Sequence, residues 1–303
     1  PNPIFYDHIM VLSDEHSDQD IFSLSQYEDF IGMVHSLKEY YGYWTSEIGG
    51  TLKEHLHMHL FKKVRRPELK GKYEKFPVEE FQQQSMVFDE KGRSLVSTVM
   101  GYPSAREAIS CYVVNGYRDE EPSEVARRAY MVANVIREMG YDMDRLFSLD
   151  EKTGAMKIYL LPRKKGVVDE FCGRKNRQLG AVETFGIFII PDKEPYPALS
   201  AEEASRALHD VGLPCGDPDS AHITGRIIRD INQLKKVNVV AGREPRDVKA
   251  VVFDIEDVLS HAAALAMRKA YMQIYEEVTG TNLLHVKTKE KAERSFDANS
   301  DVM

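Results

Sequence analysis

The sequence predicts an α+β fold built on a largely antiparallel sheet. Short segments rich in β-branched, aromatic and aliphatic residues recur between residues 4 and 190. Each half of that stretch also holds an amphipathic helix followed by strands. The remaining residues, 199–303, read mainly as a helical extension. At 303 residues, 43% hydrophobic and 29% charged, the chain has the size and composition of two domains or one large two-lobed one.

Taken in order, residues 4–12 (IFYDHIMVL) read as a strand that the polar run 13–20 ends. Ser25 and Glu28 have capping-box spacing. Behind them Tyr27, Phe30, Ile31, Val34, Leu37 and Tyr41 repeat at helical period. Residues 41–44 form the next strand, Gly49-Gly50 a turn, and 55–61 the strand after it. Further strands are expected at 85–88, 95–100 and 110–115. The acidic stretch Asp119-Glu120-Glu121-Pro122 then breaks the pattern and separates a first lobe, 1–118, from a second, 119–198.

In the second lobe Ser123 is the expected cap of a helix with Val125, Ala129, Val132, Ile136 and Met139 on one face and Gly140 at its end. A turn follows at 150–154, then a strand at 156–161 running into Pro162-Arg163-Lys164-Lys165. Residues 181–190 (AVETFGIFII) read as another strand, closed by Pro191-Asp192. In the extension, Ser200 and Glu203 cap a helix ending near Gly212, and a second helix spans 219–236. A strand at 248–253 and a long helix from about 260 to 278 complete the chain.

The net charge of −8 argues against a large nucleic-acid footprint. Cys111, Cys172 and Cys215 are widely spaced, with no CxxC pattern, which fits a reducing cytoplasm better than a disulfide framework or a structural zinc site. No apolar run approaches the ~18–20 residues of a membrane span, and no signal peptide is legible, so no membrane partner is expected.

The chemistry concentrates in Glu54-His55-Leu56-His57-Met58-His59-Leu60-Phe61, where three of the ten histidines alternate with apolar residues. A strand puts alternate side chains on one face, so Leu56, Met58 and Leu60 would be buried and three imidazoles would point the same way, roughly 6–7 Å apart. Imidazole serves as nucleophile, acid, base or metal ligand near neutral pH. Plain surface or core histidines are one reading. A site for a divalent metal is another, with Glu54, His16 or His8 supplying further ligands. The third is nucleophilic attack at phosphorus, which divides a hard displacement into two easier steps through a phosphoramidate.

His55 to Phe61 resembles the signature of the histidine-triad superfamily. Asn2-Pro3, His8, Glu15-His16 and Gln19 are similar to the opening motifs of its nucleotidyltransferase and phosphorylase branch. That branch includes galactose-1-phosphate uridylyltransferase, diadenosine tetraphosphate phosphorylase and the GDP-hexose phosphorylases. Gly49 to His55 resembles the turn before its histidine motif. Lys157 to Arg163 and Gly180 to Gly186 resemble pieces of its second lobe. The resemblance implies a two-lobed fold of that superfamily with a second, degenerate lobe, and a homodimer as a common state. It implies a nucleotide-sugar or dinucleoside polyphosphate substrate, and phosphate or a sugar phosphate as acceptor. His57 would be the nucleophile, His55 would fix its orientation, and His59 would bind a phosphate oxygen and assist the leaving group. Asn2, His16, Gln19 and Thr51 would order the phosphate or its loop. The transferase branch usually carries Gln at the position of His59, and a third His is typical of the hydrolases. Hydrolysis on the same residues therefore stays open, as does a metal-binding or catalytically silent protein of this fold.

The basic runs Lys62-Lys63…Arg65-Arg66 and Arg163-Lys164-Lys165 each follow a strand and could hold a polyphosphate or sugar phosphate. Trp44 and Tyr40, Tyr41 and Tyr43 could stack on a base, although such positions are more often core and rim. Lys249 to Leu259 (KAVVFDIEDVL) resembles the first motif of haloacid-dehalogenase phosphatases. Glu256 and Asp257 depart from that motif, and a structural strand–turn–helix is the favoured reading.

Overall fold

The computed structural model describes residues 8–16, 23–45, 55–63, 75–103, 107–150, 152–164, 168–171, 174–188 and 199–234. All of them belong to the larger of two compact units, which takes in residues 3–243. The expected strand at 248–253, the long helix after it and the haloacid-dehalogenase-like stretch lie outside the described residues.

The elements in order are β1 (Ile9–His16), α1 (Leu24–Ser36), β2 (Tyr40–Trp44) and β3 (His55–Lys62), then β4 (Gln83–Phe88), β5 (Ser94–Val99) and β6 (Tyr112–Gly116). They continue with α2 (Pro122–Glu138), β7 (Asp142–Leu149), β8 (Met156–Arg163), β9 (Val168–Phe171) and β10 (Arg174–Arg177). Three helices close the series: α3 (Ala181–Thr184), α4 (Ala201–Val211) and α5 (Pro218–Leu234). The class is α+β. Eight strands form one sheet in the order β1-β3-β2-β7-β8-β6-β5-β4, every neighbouring pair antiparallel, and β9 and β10 form a separate hairpin.

This order contains a repeat. A strand, a helix and two strands (β1-α1-β2-β3) lie in space as β1-β3-β2, and the same unit (β6-α2-β7-β8) lies as β6-β8-β7. The two units meet edge to edge through β2 and β7, so the six strands read the same from either end. On one face of the sheet α1 and α2 pack together over Trp44, Leu56, Met58, Leu60, Phe147, Ile158 and Leu160. Burying Tyr27, Phe30, Ile31 and Val34 of α1 contributes about 1.5–3 kcal/mol each. Gly42 of β2 lets α1 come close, since a Cβ there would lie 2.7 Å from Val34 Cγ2 and 2.9 Å from Phe30 Cζ. The other face carries Tyr41, Phe61, Val113, Leu146, Tyr159 and Leu161 against the short helix Pro77–Glu80, α3 and α4.

Several elements differ from the sequence expectations. The capping box of α1 is formed by Ser23 and Gln26, two residues earlier than Ser25 and Glu28, with Ser23 Oγ accepting from Gln26 N at 3.2 Å. Strand β1 continues through the polar residues to His16, because β3 offers it a ladder as far as the His16–His55 rung. For α2 the capping position is Glu121 with Pro122 opening the helix, not Ser123. Gly140 ends that segment as expected, at φ +83°. Strand β7, central to the sheet, had no counterpart in the sequence reading. Residues 181–184 are a helical turn instead of the start of a strand, since the Glu183 carboxylate accepts from Gly180 N at 2.8 Å and closes the turn.

Candidate functional site

Strand β3 alternates as its sequence requires. Leu56, Met58 and Leu60 enter the core under the helices, and His57, His59 and Phe61 occupy the opposite face. In the ladder His59 stands between Met10 of β1 and Tyr43 of β2, and His57 opposite Leu12. Only 3% of His57 and 7% of His59 is exposed. Their rings meet edge to face, with centroids 5.1 Å apart. Tyr43 stacks on His59 at 4.5 Å with 12° between the planes, and on Phe61 at 4.9 Å.

His8, immediately before β1, completes the cluster. Its Nε2 lies 2.8 Å from His59 Nδ1, and its ring also meets Phe61 at 4.7 Å. A hydrogen bond between two imidazole nitrogens needs one of them unprotonated, so one ring of this pair is neutral. Burial holds the His59 pKa well below its ordinary value, and His8 and His57 push it the same way. His59 is therefore a neutral imidazole at physiological pH.

Behind Tyr43 lies a buried polar group on β7. Asp144 is fully buried; it accepts from Arg163 Nη1 at 3.1 Å and Thr184 Oγ1 at 2.8 Å. Burial raises the Tyr43 phenol pKa above its usual value, with Asp144 and Glu183 adding to the effect. Two donors of this region have no hydrogen-bond partner among the described residues: the Thr45 hydroxyl, next to β2, and the Nε and Nη2 edge of Arg163.

Of the residues expected at the site, the structure brings His57 and His59 together. The backbones of His55 and His16 pair across β3 and β1, and their side chains lie outside the described residues. Asn2, Gln19 and Thr51 also lie outside them. Of the two basic runs that could hold an anion, Arg65, Arg66 and Lys165 lie outside the described residues. Lys62 alternates with Phe61 and so takes the face away from His57 and His59. Lys63 is buried, and its ammonium donates to the carbonyls of Lys38, at 2.8 Å, and Leu149. Arg163 shares the histidine face but sits on β8, three strands and so about 14 Å away from β3; it is buried against Asp144. Trp44 belongs to the core, with the Arg145 guanidinium 4.7 Å from its ring. Among the described residues no group of three or more His, Cys, Asp or Glu is arranged to hold a metal ion, and no helix is long and apolar enough to cross a membrane.

From the sequence His8 has only a minor part, as a spare metal ligand or a piece of the opening motif, and Tyr43 reads more as a core or rim residue than as a stacking partner for a base. The sequence signal for His8 is its place in the opening motif with Asn2-Pro3 and Glu15-His16; its pairing with the histidine strand is not legible locally. Asp144 carried no signal, because its strand went unread.

No protein-family model matches this chain, and no curated protein matches it. Among solved structures it is similar to the crystal structure of a DUF4931 family protein from Bacillus cereus. That protein is 14% identical, with a TM-score of 0.36, and the match covers 53% of this chain and 77% of the other.

Proposed function

We propose that this chain is a nucleotidyl-transferring enzyme of the histidine-triad type. One observation carries the reading: His57 and His59 share one face of β3 with rings 5.1 Å apart, and His59 is neutral and pinned by His8. A ring nitrogen of His57 attacks the α-phosphorus of a nucleoside diphosphate sugar or dinucleoside polyphosphate. The P–N bond forms as the bond to the bridging oxygen breaks, and the electron pair leaves on the departing phosphate. An oxygen of phosphate or a sugar phosphate then attacks the same phosphorus, breaks the P–N bond and frees His57.

In this scheme His8 Nε2–H donates to His59 Nδ1, which leaves the His59 proton on Nε2. That N–H is then a fixed donor for a phosphoryl oxygen, with no charge to desolvate. Both rings are almost fully buried.

The test is to mix the full chain with each substrate class, quench in alkaline denaturant, which preserves phosphoramidates, and weigh the protein. A nucleotidyl adduct is expected in the wild type and absent in His57→Ala. Absence of an adduct with every nucleotide tried removes the proposal. Hydrolysis is the second reading, favoured by the retention of a third imidazole, His59, beside His57. Added phosphate or hexose 1-phosphate accelerates loss of the adduct in a transferase and leaves a hydrolase unchanged.

A further inference from the structure

The internal repeat gives the histidine strand a counterpart in β8. The rung His59–Tyr43–Leu146–Tyr159 crosses β3, β2, β7 and β8. A two-fold axis through the middle of that rung carries His59 onto Tyr159 and His57 onto Lys157. Lys157 thus stands on the same face of the sheet, at the position of the second unit that matches His57 in the first.

Lys157 is half-buried, and among the described residues its ammonium has no hydrogen-bond or ion-pair partner. Burial holds its pKa below the ordinary lysine value, against the pull of Glu79. Glu79 itself is engaged, accepting from Tyr41 Oη at 2.9 Å and Ser148 Oγ at 2.7 Å. Beside Lys157 opens a cleft of about 340 Å³, also lined by Gln83, Ser85, Ser97, Asn115 and Tyr117. Its walls are ordered by a relay of hydrogen bonds. Asn115 Nδ2 donates to Ser97 Oγ at 3.3 Å, Ser97 Oγ to Gln83 Oε1 at 3.3 Å, and Gln83 Nε2 to Tyr159 Oη at 3.2 Å. Among the described residues no carboxylate lines the cleft, although Glu79 and Asp150 lie near enough to act on Lys157 through space. The rest of the wall, Ala155 and Met156 included, is largely apolar, with the amides and hydroxyls set into it; a cation without an ion-pair partner at the edge of such a hollow is matched by an anion carried on a small molecule.

We propose that this cleft is a second ligand site, on the same face of the sheet as the histidine cluster but three strands away from it, in which Lys157 holds a small oxyanion: a phosphate or a carboxylate, free or carried by a small polar molecule. The volume admits such a molecule whole, and the second amide N–H of Gln83 and the Ser85 hydroxyl are the wall donors that the relay leaves over for its remaining oxygens. The site is independent of chemistry at His57 and stands whether or not a nucleotidyl adduct forms.

The experiment is calorimetric titration of the full chain with inorganic phosphate and, separately, with malonate, in the wild type and in His57→Ala, Lys157→Met and Lys157→Arg. One saturable site is expected that His57→Ala keeps, Lys157→Arg largely keeps and Lys157→Met weakens about tenfold or more. Whether phosphate or malonate binds more tightly tells a phosphoryl from a carboxylate ligand. In parallel, the anion that binds should slow acylation of Lys157 by an amine reagent, read by peptide mass spectrometry on the wild type. That readout decides the matter if Lys157→Met does not fold. No saturable binding of either anion, equal affinity in Lys157→Met, or unchanged acylation of Lys157 overturns the proposal.

Discussion

His59 ties the candidate site to the stability of the fold. Its proton affinity is depressed in the folded state, whereas in the unfolded chain it titrates near 6.5. Below that value the unfolded state therefore binds more protons, and stability falls as pH drops toward the folded pKa. The urea midpoint is expected to be lower at pH 5.5 than at pH 7.5, with a slope of up to about 1.4 kcal/mol per pH unit from this group. His59→Gln should flatten that dependence. A slope unchanged in His59→Gln would assign it to other groups. Asp144 makes a second case. Asp144→Ala leaves the Arg163 guanidinium buried without its counter-charge, at an expected cost of about 3–5 kcal/mol in urea unfolding. The double variant Asp144→Ala with Arg163→Met should recover much of it. If the double variant is no better than the single one, the pair is not the source of the loss.

Among the elements, legibility followed burial pattern. Strand β3 was readable because its two faces differ, apolar against imidazole, and α4 because Ser200 and Glu203 sit at its start and Gly212 at its end. Strand β7 was not, because Asp144 and Arg145 look like loop residues and both are almost fully buried. Arg145 is accommodated by Tyr27 Oη, which accepts from its Nε at 2.8 Å, and by the face of Trp44. Both partners are distant in sequence, so nothing local announced them. The stretch from residue 181 failed in the opposite direction: its apolar run reads as a strand, and the Glu183 carboxylate closes it into a helical turn. The join between α1 and β2 gives a direct test of packing. Gly42→Ala forces a methyl against Val34 and Phe30 at less than 3 Å, and should destabilise by about 1–3 kcal/mol in thermal or urea unfolding. Gly92, where a Cβ would meet nothing within 4 Å but φ is +75°, tests backbone strain without crowding.

Across the described residues, one sheet passes through both repeats and one helical layer, α1 with α2, covers one face of it, so the two repeats share an apolar core. Trp44, the single tryptophan of the chain, lies at their junction and reports on it. Its fluorescence and the amide-exchange protection of β3 and β8 should be lost at one denaturant concentration. Separate midpoints for β3 and β8 would mean that the units unfold independently.

The palindromic order of these six strands has an assembly consequence. The hydrogen-bonding edge of β2 is occupied by β7, a strand that arrives more than ninety residues later in the sequence. Until it arrives, on a ribosome or in a truncated chain, β2 is an open edge whose best available substitute is the β2 of another copy, paired in the same antiparallel sense. The fold thus carries within one chain an interface of isologous type, and a fragment that stops before β7 is a candidate for self-association through it.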